Sequence, residues 1–389
     1  MRWNERISPN VLAIPPSGIR RFFDIAAEMD DVVSLGVGEP DFITPWHIRE
    51  SCVYGLERGF TAYTSNAGLL ELREEIARHF STRYNVDYDP KKEVLITVGV
   101  SEALDLAIRA LLSPGDDALI PEPCYVSYKS CVSLVGANPI PVPTSMENNF
   151  QLTVDALERA ITPKTKLLLI GYPNNPTGAI MPREELMKIA DFAKAHDLIV
   201  LSDEIYADLT YDAEHTCFSS LPGMKERTIG FNGFSKAYAM TGWRIGYALG
   251  APEIIAAMTK IHQYTMLCAP ITAQIAAVEA LKNGEKQMRK MVKEYDCRRR
   301  LMVDGFRAMG LDCFEPKGAF YIFPSIKRTG LSSMDFAEQL LRAEKVAIVP
   351  GDAFGDSGQG HVRCSYAYSI ANLNEALTRI EHFVRPMLK

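Results

Sequence analysis

Five short clusters in this sequence combine residue types that can do chemistry. Gly99-Val100-Ser101-Glu102-Ala103 sets a glycine and a hydroxyl at a strand-to-helix turn, where the free N–H groups of a helix start could cradle a phosphate. An ordinary N-capped helix would look the same. Tyr172-Pro173-Asn174-Asn175-Pro176-Thr177-Gly178 reads as a tight turn; turn chemistry explains its prolines and glycine, but two successive asparagines add amides it does not require. In Ser202-Asp203-Glu204-Ile205-Tyr206 a carboxylate follows directly on the apolar run 198–201. Burying a carboxylate is costly without a cation, so a positive partner is expected.

Ser235-Lys236 stands eight residues before Arg244, within Thr241-Gly242-Trp243-Arg244-Ile245-Gly246. One amine and one permanent cation suit a phosphorylated ligand, whereas Lys236 taken alone reads as a surface lysine. Gly360-His361-Val362-Arg363-Cys364-Ser365 sets an arginine inside a short strand, placed to make two parallel bonds to a carboxylate.

The elements that position these clusters follow from the hydrophobic pattern. From residue 94 onward, short apolar runs alternate with amphipathic segments, the pattern of a parallel α/β sheet. Strands are expected at 94–97, 167–170, 198–201, 228–231 and 245–249, with helices over 101–112 and 183–195. Each cluster ends a strand or begins a helix, where open α/β sheets present their ligand-binding groups. Apolar residues Met288, Met291, Val292, Tyr295, Met302, Phe306 and Met309 recur at helical spacing up to Gly310, a natural C-cap. Short strands near 318–323, 346–349 and 362–365 then suggest a smaller α/β domain. The division read is an N-terminal segment 1–44 packing on that small domain and over the site, a large domain 45–284 and a small domain 285–389.

Composition narrows the class. The 389 residues suffice for about two domains. The 42 Lys+Arg against 48 Asp+Glu give a net charge of −6, which leaves no footprint for nucleic acid. Arg298-Arg299-Arg300, the one basic run, reads as a solvated helix face. No apolar stretch reaches the roughly 20 residues that span a bilayer, and the N-terminus lacks a signal-peptide core, so a cytoplasmic protein is expected. Eight cysteines are scattered without C-x-x-C or Cys/His spacing, which argues for reduced, mostly buried thiols and no metal.

In their joint order, N-P-T-G, S-D-E-I-Y and S-K-A-Y-A-M-T-G-W-R-I-G-Y resemble the fold-type I pyridoxal phosphate enzymes, specifically class I aminotransferases of the aspartate and aromatic amino acid group. The likeness runs over nearly the whole chain, from Gly36-Val37-Gly38-Glu39-Pro40-Asp41-Phe42 through Tyr63 and Gly68 to Arg363. It implies an α/β fold with a mostly parallel sheet flanked by helices, and pyridoxal 5'-phosphate as cofactor. Lys236 would form the internal Schiff base and move the proton at Cα through a quinonoid. Asp203 would keep the pyridine nitrogen protonated, and Tyr206 and Asn175 would bond the phenolic oxygen. Arg244 and Ser235, with Val100, Ser101 and Glu102 of the glycine turn, would complete the cofactor site, with Tyr125 stacked on the ring. Arg363 would clamp the substrate α-carboxylate beside Gly38 and Asn175. Tyr63 matches a tyrosine lent across a homodimer interface to the neighbouring subunit's phosphate. One departure stands out, since many relatives carry serine where this chain has Gly233.

The implied reaction moves an amino group from an L-amino acid, aromatic, acidic or of broad range, to 2-oxoglutarate. A carbon–sulfur β-lyase of the same fold would keep Lys236, Asp203, Tyr206 and Arg363, and a non-catalytic aminotransferase-like regulator would keep the fold alone. A nicotinamide-dependent dehydrogenase would need G-x-G-x-x-G, and Gly36-Val37-Gly38 lacks the third glycine. Side-chain specificity is expected to come partly from residues 14–19.

Overall fold

The computed structural model describes residues 5–14 and 29–388. Of the segment 14–19, only Ile14 falls within them. In chain order the strands are β1 (Val33–Ser34), β2 (Val94–Thr97), β3 (Asp117–Glu122), β4 (Asn138–Pro143), β5 (Thr165–Gly171), β6 (Ile199–Asp203), β7 (Thr228–Gly233), β8 (Gly246–Leu249), β9 (Tyr321–Ile322), β10 (Val346–Ala347), β11 (Val349–Pro350) and β12 (Val362–Ser365). Seven of them form the central sheet in the order β2-β8-β7-β6-β5-β3-β4, parallel throughout except for β8, which runs against both neighbours.

Helices cover both faces of this sheet, which is why its strands are apolar runs instead of alternating ones. Along β5, Leu167 and Leu169 enter one apolar layer while Leu168 and Ile170 enter the other. The helices Val100–Leu111 and Arg183–Ala195 lie within a residue of their expected bounds. Two strands escape the sequence pattern. β4 reads Asn-Pro-Ile-Pro-Val-Pro, and three prolines argue against a strand, yet at the sheet edge alternate missing N–H groups cost no ladder bond. β3 carries Pro121 beside it.

The 24-residue helix Glu285–Ala308 leads out of the large sheet, and Gly310 follows it at φ +88°, a left-handed position that favours glycine. Beyond it β11, β12 and β9 form an antiparallel sheet, and β1 pairs in parallel with β10.

The arginine run does not form a solvated face. Arg298 and Arg299 are buried and only Arg300 is exposed. Arg299 is ringed by Asp212, Asp296 and Glu315, and Arg298 reaches Asp41 and lies over the Phe42 ring. Paired charge and stem packing make their burial tolerable. The cysteines are free as expected, but only Cys124, Cys217 and Cys364 are fully buried.

Candidate active site

β2, β3, β5, β6 and β7 point the same way, so their C-terminal ends share one edge of the sheet. A cavity of about 520 Å³ opens there, closed on its far side by residues 36–39, Tyr321 and Arg363.

Lys236 stands three residues past β7. Its Nζ donates to the Gly38 carbonyl at 2.7 Å, and burial pushes the amine down to about 8, against the pull of Glu39. Gly233 ends β7 opposite Gly246, and a Cβ there would lie 2.9 Å from the Gly246 Cα and 3.1 Å from the Ile245 carbonyl oxygen. Close strand approach therefore leaves no room for a side chain here unless the two strands move apart.

Asp203 ends β6. Its Oδ2 accepts from the Tyr128 hydroxyl at 2.7 Å and its Oδ1 from the Ile205 N–H at 3.2 Å. Burial raises its carboxyl to about 6, with those two bonds pulling the other way. The expected cation is not a bonded side chain, because no described Lys, Arg or His pairs with Asp203.

Tyr206 shares a 2.7 Å hydrogen bond with Tyr321, and burial holds both phenols above their ordinary range. Of the two asparagines after β5, Asn174 closes the turn, its Oδ1 accepting from the Thr177 hydroxyl and N–H. Asn175 faces the cavity, and its Oδ1 accepts from Arg363 Nη1 at 2.9 Å. The other Arg363 terminal nitrogen donates to the Gly36 carbonyl, while its buried Nε has no partner. Tyr321 and Phe354 flank the guanidinium at 4.6 and 4.8 Å.

Arg244 adopts φ +51° and donates to the Thr241 carbonyl at 2.9 Å. The Gly99 turn lies directly on it, since a Cβ at Gly99 would sit 2.5 Å from Nη2; one at Gly246 would sit 2.7 Å from the Val100 nitrogen. Two glycines thus bring a helix N-terminus, a guanidinium and the Ser101 side chain to one corner of the cavity.

Gly38, Val100, Ser101, Tyr125, Asn175, Asp203, Tyr206, Ser235, Lys236, Arg244 and Arg363 all line this cavity. Glu102 does not. Its carboxylate turns back to the Val98 N–H and to His262, and its own N–H bonds the Gly99 carbonyl. Tyr63 lies outside the cavity and is 82% exposed. Sequence reasoning missed Tyr128 and Tyr321. Tyr128 sits three residues past Tyr125, close to one helical turn, whereas Tyr321 is hidden in an aromatic strand that reads as core.

Residues 30–380 match the family model of class I and II aminotransferases. The chain is 48% identical to the aspartate aminotransferase of Pyrococcus abyssi, over 96% of each chain. It is 45% identical to aromatic-amino-acid aminotransferase 2 of Thermococcus litoralis, over 97% of this chain and 98% of that one. Aspartate aminotransferase from Thermus thermophilus, solved with maleate, superposes with a TM-score of 0.93 at 39% identity, over 97% of this chain and 99% of that one.

The chain belongs to the class I and II aminotransferase family and has the fold of its pyridoxal phosphate enzymes. It is a pyridoxal-phosphate-dependent aminotransferase.

The cavity fits that cofactor. Lys236 offers a half-buried amine of lowered pKa, Asp203 a buried carboxylate with no side-chain cation bonded to it, and Arg244 a guanidinium beside a helix start. Arg363 keeps an unpartnered buried N–H for a further anion. No group of three His, Cys, Asp or Glu residues suited to a metal occurs among the described residues.

Proposed function

We propose that the enzyme moves the amino group of an L-amino acid, with aspartate and aromatic amino acids as candidate donors, to 2-oxoglutarate. The convergence of Lys236, Asp203 and Arg363 on one cavity carries the reading. Two relatives named for aspartate and for aromatic amino acids support the donor range. Hypothesis and rival separate in one assay: donors plus 2-oxoglutarate should yield glutamate, whereas a β-lyase would release pyruvate and thiol from cystathionine. Absence of glutamate across a donor panel would sink the proposal.

Bound pyridoxal phosphate supplies a conjugated ring that takes up the electron pair left when a bond to the substrate α-carbon breaks. Lys236 is placed as the proton carrier at that carbon, because an amine near 8 is partly neutral at physiological pH and can both accept and return a proton. Asp203 holds a negative charge at the cavity floor, which a pyridinium would keep ionised. With the cofactor bound, Tyr206 and Asn175 would offer polar groups to its phenolic oxygen and Tyr125 an aromatic surface to its ring, while Arg244, Ser101, Ser235 and the Val100 N–H would hold its phosphate. Arg363, with Asn175 and Gly38, orients the α-carboxylate so that the Cα–H bond faces Lys236.

The same reading takes the active unit as a cytoplasmic homodimer, in which exposed Tyr63 reaches the neighbouring site, with no nucleic acid or membrane partner. No described helix is long and apolar enough to cross a membrane. The reading keeps 45–284 as the large domain and 285–389 as the small one; of the segment 1–44 proposed to lie over the site, residues 1–4 and 15–28 fall outside the described residues. A purely monomeric active enzyme in light scattering would remove Tyr63 from the site.

A further inference from the structure

Glu102 and His262 form a pair that the reaction does not use directly. Glu102 lies in the first turn of the Val100–Leu111 helix, the helix whose start carries Val100 and Ser101 into the cavity. Its N-cap is Gly99, which has no side chain to offer the helix start. Glu102 instead ties the turn that precedes the helix to the helix itself. One carboxylate oxygen takes the Val98 N–H at 2.5 Å, across the turn, and the other lies 2.6 Å from His262 Nδ1.

His262 belongs to another element, the helix Pro252–Thr265, which packs alongside. Its side chain is fully buried and that of Glu102 is 9% exposed. The carboxylate can only accept, so Nδ1 is the donor; Nε2 is buried with no partner in the described structure. The ring is therefore anchored through a single polar bond, to Glu102. The placement also resolves a conflict of charge. A carboxylate in the first turn would repel a phosphate at the same helix start, but this one is turned away and both its oxygens are occupied.

We infer that Glu102 and His262 are positioning residues for the phosphate corner: they fix the Gly99-Val100-Ser101 turn against Arg244, and the phosphate of the cofactor is the group that senses them. Gly99 at φ +77° lies so close to Arg244 that movement of the turn must change the corner's shape. Without His262, the Glu102 carboxylate loses one of its two donors in a buried place and is free to rotate, releasing Val98 as well.

This inference rests on the aminotransferase reading, and a binding experiment separates the two. Apoenzyme is titrated with pyridoxal phosphate and with pyridoxal, which lacks the phosphate, and both dissociation constants are measured. Failure of the unmodified enzyme to bind pyridoxal phosphate would overturn the cofactor assignment itself. Given wild-type binding, His262→Phe should weaken pyridoxal phosphate about tenfold, the effect of losing one bond to a charged group. Pyridoxal affinity should stay within about twofold. Glu102→Gln, which cannot accept both bonds with two oxygens, should behave alike. His262→Asn, whose amide nitrogen falls near Nδ1, should restore affinity close to wild type. If His262→Phe does not fold, Glu102→Gln against His262→Asn carries the same comparison. Equal losses for both ligands, or no loss for either, would overturn the inference.

Discussion

The phenolic oxygens of Tyr206 and Tyr321 lie 2.7 Å apart in a buried contact, and the same Tyr321 ring covers the Arg363 guanidinium at 4.6 Å. One residue from β9 thus braces a group on the cofactor side and a group on the substrate side. Gly38 is part of this arrangement, since a Cβ there would collide with the Tyr321 oxygen at 2.1 Å. If Tyr321 donates to Tyr206, the proton of Tyr206 is free to point into the cavity. Tyr321→Phe keeps the ring over Arg363 and removes only that donor. We expect kcat/KM to fall about 2- to 10-fold, in line with one neutral hydrogen bond. The pH titration of the bound cofactor's visible absorption should move upward, because a weakened phenol competes less well for the ring oxygen. An unshifted titration would show that the Tyr321 hydroxyl does not act through Tyr206.

Much of this site is legible in the sequence, for a physical reason. Lys236, Asp203, Asn175 and Ser101 sit where apolar strands end, so periodicity alone puts them on one edge of a sheet. What stays hidden is lateral. Nothing in the spacing shows that Tyr128 reaches Asp203 over 75 positions, or that Tyr321 reaches Tyr206 over 115. Direction around a helix is hidden as well: successive helical residues point about 100° apart, so Ser101 lines the cavity while the Glu102 side chain faces a neighbouring helix. Arg298 and Arg299 misled in a third way, because a run of like charge reveals nothing about the acids that Asp41, Asp212 and Glu315 bring from elsewhere.

Asp203 should make the cofactor-free enzyme less stable than it could be. Its folded value, about 6, lies above the ordinary 3.8. The folded state therefore binds more protons between those values, and its contribution to stability is lost as pH rises through about 6. Near neutral pH the cost is of order 2–3 kcal/mol. Asparagine retains an acceptor for Tyr128 and carries no charge. We expect apo Asp203→Asn to melt at or above the wild-type temperature near neutral pH, and transamination to drop roughly 100- to 1000-fold. A lower melting temperature with near-normal turnover would reverse the assignment.

For Lys236 the sign is opposite. Its folded value of about 8 lies below 10.5, so the unfolded chain binds more protons in between, and stability rises with pH across that interval. The neutral amine is also the form that reacts with an aldehyde. Colour formation when pyridoxal phosphate is added to apoenzyme should accelerate with pH and reach half its limit at about 8. Lys236→Ala should form no such covalent adduct, as borohydride reduction and peptide mapping will show. A rate midpoint near the ordinary lysine value would mean that burial does not tune this amine.

Arg363 is held by neutral oxygens, Asn175 Oδ1 and the Gly36 carbonyl, and by no carboxylate of the protein among the described residues. A purely structural arginine would have an acidic partner. This one has an Nε with no protein partner and is clamped between Tyr321 and Phe354, an arrangement suited to binding an anionic substrate group. Lysine preserves the charge but offers no planar fork and cannot stack between two rings in the same way. Arg363→Lys should therefore lower kcat/KM by roughly 10- to 150-fold, the effect of one misaligned charge-assisted bond. Since every amino and oxo acid presents the same α-carboxylate, the loss should be similar for an aromatic and an acidic donor, leaving their ratio unchanged. Melting temperature and kcat/KM for both donors decide the matter. A destabilised variant with near-normal kinetics would return Arg363 to a structural role, and a loss confined to one donor would move it to the side-chain pocket.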